Sequence, residues 1–369
     1  MSSNEGEYRD ALPGGAAKGR GAGINPGNRF EKVRLHVLGE HLDEVMVEHA
    51  DGVRVATRVY ADGTKSVINQ VDSPDLPFSW TVNPYRGCEH GCIYCYARPG
   101  HEYLGLSCGL DFESKILAKF DAPALLRGEL TNRKWEGEPI VFSGVTDPYQ
   151  PIEGKLRITR GCLEVCADLM QPVSLITKNR LITRDIDLFK ELARHRAVAA
   201  AVSVTTLDAE LSRKMEPRAS TPRDRLRAIE ELTAAGVPVA VMTAPIVPGL
   251  NDTEIPSLLE EAKKAGAVQA GYIVLRLPHQ IKDVFLEWVA REFPDRSSKV
   301  ENAIRGMRSG ELYQSKFGER HRGTGPRADA IRDTFNVFAK RHGLAGRWRS
   351  LSSAAFHERR RSMGQMTLF

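Results

Sequence analysis

Nowhere does this 369-residue chain reach the roughly 20 consecutive uncharged apolar residues that a bilayer-spanning helix requires, so a transmembrane reading is excluded. Collagen-like and coiled-coil repeats are absent too, and aromatic residues make up only 7%. The opening MSSNEGEYRD has no basic stretch followed by an apolar one, so no secretory signal is expected and the chain is placed in the reducing cytosol. Its six cysteines are therefore expected to serve metal or redox chemistry or packing rather than disulfides.

What is present is ordinary globular material, 41% apolar and 27% charged, long enough for one large α/β domain with appendages. The charge of +5 is unevenly spread. Residues 291 to 369 hold 17 Lys and Arg against 8 Asp and Glu, a net of +9, and the preceding 290 residues sum to −4. A near-neutral body with a basic carboxyl region suits an anionic partner, nucleic acid above all, although a solvated basic surface would give the same count.

Five segments follow from composition. Residues 1–30 are Gly-rich, polar and basic and read as a disordered or loosely docked arm, with Lys18 and Arg20 solvated. Residues 31–75, with VRVATRVY before ADGT, predict a small β-rich extension. From 76 to 295, short apolar strands alternate with amphipathic helices: FSWTVNP, PIVFSG, VSLITKN, VAAAVSVTT, VPVAVMTAPIVPG and AGYIVLRLP are the strands. Six such units in constant order predict a parallel sheet, open or curled into a partial barrel, with the active site at the carboxyl ends of the strands. Residues 296–349 predict a helical basic extension. Residues 350–369 predict a flexible tail, its linker (350–364) followed by the apolar terminal QMTLF.

Cys88, Cys92 and Cys95 form CxxxCxxC in NPYRGCEHGCIYCYARP, directly after the first strand of the repeat. Three thiolates within eight residues predict zinc or an iron-sulfur cluster. A structural zinc site takes four protein ligands, so zinc needs His90 or His101 to complete the set; without them, a four-iron cluster with one open iron fits. Cys162 and Cys166, four apart on a predicted helix, read as small core residues, and Cys108 as a buried thiol. An auxiliary cluster of those three is the alternative.

The cysteine motif and the six-unit rhythm resemble the radical S-adenosylmethionine superfamily, whose fold is a partial (β/α)6 TIM-like barrel. Within it, CIYCYA, FSGVTDPYQPIE, ITKN, SVTT and MEPR resemble the spore photoproduct lyase branch, and KGRGAGINPGNRFE, HEYLGLSCGLDFESKI and YQSKFGERHRG a non-sporulating subgroup of it. The resemblance implies a four-iron four-sulfur cluster on Cys88, Cys92 and Cys95. S-adenosylmethionine would be chelated at the open iron and cleaved to a 5′-deoxyadenosyl radical, with an electron donor such as a flavodoxin or ferredoxin.

Residue by residue, the resemblance implies that Tyr94 lies near the adenine and that Gly144 and Thr146 approach the methionine part of the cofactor. It gives Lys178 and Ser203 further polar cofactor contacts, and makes Tyr96 a hydrogen-atom relay. Arg218 is the candidate to grip an anion, against pairing with Glu216 or Glu210. Asp147, Glu153 and Glu216 stand near strand ends. The chain departs from the lyase at Gly144, where the lyase carries a radical-quenching cysteine, with Cys108 as the candidate substitute.

Gln365, Met366, Leu368 and Phe369 resemble the bacterial sliding-clamp-binding peptide, with Met for the usual Leu; a tail folded onto its own body is the alternative. The combined expectation is a radical enzyme acting on DNA, as lesion repair or base modification. The alternatives are radical chemistry on RNA, a peptide or a small metabolite, and a non-enzymatic, metal-stapled nucleic-acid-binding module.

Overall fold

The structure is a computed structural model that describes residues 17–30, 55–346 and 350–366. Its strands are β1 (Arg58–Ala61), β2 (Ile68–Gln70), β3 (Trp80–Val82), β4 (Tyr85–Arg86), β5 (Lys115–Ala118), β6 (Ile140–Phe142), β7 (Val173–Thr177), β8 (Val198–Ser203), β9 (Val239–Ile246) and β10 (Gln269–Val274). The main sheet runs β10-β9-β8-β7-β6-β3-β2. From β3 to β10 every pairing is parallel, and β2 closes one edge antiparallel to β3. The two end strands do not pair with each other, so the sheet is a partial (β/α)6 barrel, as expected.

The six expected strands all form, because each is a short apolar run whose residues are buried on both faces once helices cover the sheet. Ile140, Phe142, Val173, Leu175, Val198, Val202, Val239 and Val241 make its centre. The intervening helices bury one stripe each. In Ile158–Leu169 that stripe is Ile158, Cys162, Leu163, Cys166 and Leu169. Helix starts are chemically marked: the Asp208 carboxylate accepts from the amides of Glu210 and Leu211, and Thr221, with Pro222 after it, accepts from Asp224.

Three expectations change. Residues 17–28 of the arm expected to be disordered or loosely docked are packed, and Arg20, expected to be solvated, is buried. Ala17, Arg20, Ala22 and Asn28 are buried, and Gly21 passes so close to the Gly91 carbonyl that a Cβ would stand 2.0 Å from its oxygen. Glycine there permits contact between two backbones, which a composition count reads as looseness. Residues 1–16 lie outside the described residues.

The 31–75 extension is described only from residue 55. It gives β1 to a small sheet ordered β1-β5-β4 and β2 to the edge of the main sheet. The linker expected at 350–364 is instead mostly a helix, Ala354–Met366, held to the body by one aromatic anchor. Phe356 is buried over Gly137, where a Cβ would meet its ring at 2.5 Å, and the Arg360 Nη1 donates to the Trp135 carbonyl at 2.6 Å. The basic composition concealed that anchor. Of the terminal peptide, Gln365 and Met366 end this helix, their side chains outside the described residues together with Leu368 and Phe369.

Candidate active site

The loop that follows β3 and the short β4 carries the three cysteines. The Cys88 amide donates to the Phe112 carbonyl at 2.9 Å and the Cys95 amide to Cys92 at 3.2 Å. Cys88 and Cys92 are buried and Cys95 half-buried, all three as free thiols. Burial pushes the Cys92 thiol up to about 12, with the Glu216 carboxylate adding to the rise; burial also pushes the Cys88 thiol well up, with Asp147 and the other two thiols contributing. Such thiols become thiolates when a metal supplies the positive charge.

Neither histidine that could complete a zinc set is free to do so. His90 is buried, its Nδ1 3.3 Å from an Asp147 carboxylate oxygen and its Nε2 3.2 Å from the Asn179 amide nitrogen. The His101 Nε2 donates to the Lys115 carbonyl at 2.9 Å. Among the described residues no three His, Cys, Asp or Glu side chains converge tightly enough for a single ion. A four-iron cluster asks for less convergence, since each thiolate bonds a different iron. The donor set therefore fits a cluster with one iron left open.

Behind the loop lies a polar clamp with no counterpart in the sequence expectations. Arg98, fully buried, donates Nε to the Cys92 carbonyl at 2.9 Å, Nη1 to Gly109 at 2.8 Å and Nη2 to Glu113 at 2.5 Å. Glu113, equally buried, accepts the amides of Gly21 and Ala22, each at 2.9 Å. The arm is thus bolted to the cysteine loop through one carboxylate. On the other side, Gln150 holds the loop: its Oε1 accepts the Glu89 amide at 2.9 Å and its Nε2 donates to the Gly87 carbonyl at 3.2 Å and to the Thr146 hydroxyl at 3.0 Å.

The strand ends bring the expected residues to one side of the sheet. Thr146 donates to the Gly87 carbonyl at 2.6 Å, so its hydroxyl is spent on the loop. Gly144 has φ = 134°, a conformation that L side chains rarely adopt, so any side chain at this position would be strained. Asp147 accepts Tyr149 N, Thr177 Oγ1 and Lys178 N, at 2.7 to 2.9 Å. Burial pushes its carboxyl up, but His90 and these donors bring it below the ordinary value.

The Lys178 ammonium stands 5.7 Å from the centre of the Tyr94 ring. Tyr94 is buried and donates its hydroxyl to Glu216, which also accepts from Thr205 at 2.7 Å and pairs with buried Arg225. Burial pushes the Glu216 carboxyl up, and Arg225, then Lys178, pull it below its usual range. Ser203 is buried at the end of β8, its carbonyl accepting from Arg225 at 3.2 Å. Arg218 pairs with neither expected glutamate: its Nη2 lies 3.1 Å from Glu89, and its amide donates to the His90 carbonyl. Glu153 is buried beneath Tyr85, Arg184 and the amides of Thr159 and Arg160, a structural role at the start of a helix.

Tyr96, directly after Cys95, is 54% exposed, and the Arg276 guanidinium lies 5.8 Å from its ring centre. Cys108 packs with Ala22 and Val284, whereas Cys162 and Cys166 sit in the main core, so the three are not gathered for an auxiliary cluster. Two surface clefts, of about 330 and 380 Å³, flank Lys214 and are lined by none of these strand-end residues.

Comparison with known proteins agrees with this geometry. Residues 82–262 match the radical SAM superfamily. An uncharacterised protein of Mycobacterium tuberculosis (strain ATCC 25618 / H37Rv) is 38% identical over 244 residues, 65% of this chain and 72% of that one. A radical SAM Nα-GlyT isomerase of Pseudomonas phage M6 is 27% identical over 52% of this chain and 40% of its own. The structure of spore photoproduct lyase complexed with dinucleoside spore photoproduct superposes with a TM-score of 0.54 at 16% identity, covering 77% of this chain and 78% of the lyase, a likeness of fold. No helix among the described residues is long and apolar enough to cross a membrane. With its cysteine loop at the head of a partial barrel, the chain belongs to the radical S-adenosylmethionine superfamily.

Proposed function

We propose that this enzyme uses a four-iron four-sulfur cluster held by Cys88, Cys92 and Cys95, together with S-adenosylmethionine, to modify or repair a base in nucleic acid, DNA before RNA. The observation that carries the cofactor half is the cysteine loop, with three thiols clamped from behind and both nearby histidines engaged elsewhere. Reductive cleavage of S-adenosylmethionine on such a cluster supplies a 5′-deoxyadenosyl radical.

The chain's own residues bind and shield. Lys178, beside Tyr94 and Glu216, offers a cation to the cofactor's carboxylate. Glu216 and Arg225 fix Tyr94, and the backbone of Gly144 approaches the methionine end. Exposed Tyr96 presents its phenol where substrate enters and serves as the hydrogen-atom relay. With no thiol at residue 144, the lyase's direct dimer reversal is not transferred unchanged.

The nucleic-acid half is supported by the net +9 over residues 291–369 and by the fold shared with a lyase bound to a dinucleoside spore photoproduct. The test is reduced holoenzyme with deuterated S-adenosylmethionine, offered irradiated DNA, tRNA and acidic peptide. Deuterium entering DNA is the expected result, and deuterium confined to peptide sinks the reading. Lys178→Ala should weaken S-adenosylmethionine binding by about tenfold or more, since a hydrogen bond to a charged group is worth about 1.5–3 kcal/mol. An unchanged Kd by isothermal titration would remove Lys178 from the site.

A further inference from the structure

Beyond the cofactor, the sixth strand's end carries cations that no carboxylate among the described residues answers. Arg276 follows β10, and its Nη1 donates to the His321 Nε2 at 2.8 Å. A guanidinium only donates, so this nitrogen carries the lone pair and the imidazole is neutral. Arg308, 1% exposed, reaches the Leu275 carbonyl at 2.7 Å and the Glu319 carbonyl at 3.1 Å. The Nε–H groups of Arg276 and Arg308 are both buried and meet no acceptor among the described residues.

The contrast with their neighbours is direct. Arg305 has Glu301, Arg320 has Asp75 and Arg327 has Asp252, whereas neither Arg276 nor Arg308 has an ion pair among the described residues. Burial lowers Arg308 to about 10, with Arg276 contributing, and lowers His321 to about 4, with Arg276 and Arg320 contributing. Two like charges without a carboxylate partner cost stability, and an oxyanion at half-buried Arg276 offsets their repulsion.

We propose that Arg276, braced by His321 and backed by the charge of buried Arg308, binds a phosphodiester of the substrate strand beside Tyr96. The site is separate from the cysteine loop yet reaches it: Arg276 lies over the Tyr96 ring, so the contact joins the end of the last parallel strand to the loop after the first. A phosphate held there places its nucleotide against the exposed phenol. Phosphate is favoured over carboxylate because the cations belong to the basic region from residue 291 onward or contact it, as suits a polyanion. This assignment rests on the nucleic-acid reading above.

The test uses intact holoenzyme and a fluorescein-labelled single-stranded DNA oligonucleotide, with anisotropy followed across a salt series. Arg276→Gln should lower affinity about tenfold and flatten the log–log salt slope by about 0.7, the share of one phosphate on a single strand. Arg276→Lys should retain the slope but lose affinity, having lost the fork of donors. Arg332→Gln, an exposed change on the helix Pro326–Arg341, should alter neither quantity. Circular dichroism of each variant should match the parent, which separates lost binding from lost fold.

No binding by the intact enzyme, with 5′-deoxyadenosine still formed, overturns the nucleic-acid reading. Normal binding with a slope indifferent to Arg276→Gln overturns the phosphate site alone. Arg276-dependent binding of an acidic peptide in preference to the oligonucleotide overturns phosphate in favour of carboxylate.

Discussion

Anaerobically reconstituted protein should carry about four irons per chain, and Cys88→Ala, Cys92→Ala or Cys95→Ala should each reduce this to near zero, with 5′-deoxyadenosine formation falling to the level of a protein-free control. Three thiolates leave one of four irons open, and the two nearby histidines among the described residues are engaged elsewhere. His90 is committed to Asp147 and Asn179, and His101 to the Lys115 carbonyl. Iron and sulfide analysis with electron paramagnetic resonance of the reduced protein reads the outcome. Stoichiometric zinc without iron in the parent protein would overturn the assignment and restore the metal-stapled module.

The second large effect concerns the clamp. Glu113→Gln leaves Arg98 buried without its countercharge, and breaking a buried pair from one side costs about 3–5 kcal/mol. The urea midpoint should fall with the slope of the transition unchanged. Iron content should fall with it, because Arg98 is bonded to the Cys92 carbonyl at the centre of the motif. Arg98→Met combined with Glu113→Gln should recover most of the loss, since no charge is then stranded and glutamine still accepts an arm amide. If the single variant unfolds at the parent's urea concentration, the pair is not what holds the loop.

The barrel was legible because its strands are short apolar runs, such as VAAAVSVTT, and its helices repeat apolar residues at 3.6-residue spacing; both are local patterns imposed by one shared core. CxxxCxxC was legible because metal ligation constrains spacing within a loop. Arg98 and Glu113 were not, because a buried pair fifteen residues apart across a turn leaves no periodic trace. The engagement of His90 and His101 needed the fold.

Arg225 did leave a signal. It occupies a position in the buried stripe Pro222, Arg225, Ala228, Ile229 and Leu232, and a cation there requires a partner, which proves to be Glu216. The arm and the carboxyl-terminal helix were misread for one reason: average composition hides a single close glycine contact or a single aromatic anchor.

The bolt between Gly21 and Glu113 also orders events during synthesis. The arm leaves the ribosome first, but its acceptor is made 92 residues later, about 5–20 seconds at ordinary elongation rates. During that interval the arm has nowhere to dock, and the cysteines emerge before Glu113 does. The arm therefore docks only after residue 113 has been made, although it precedes the cysteines in the chain.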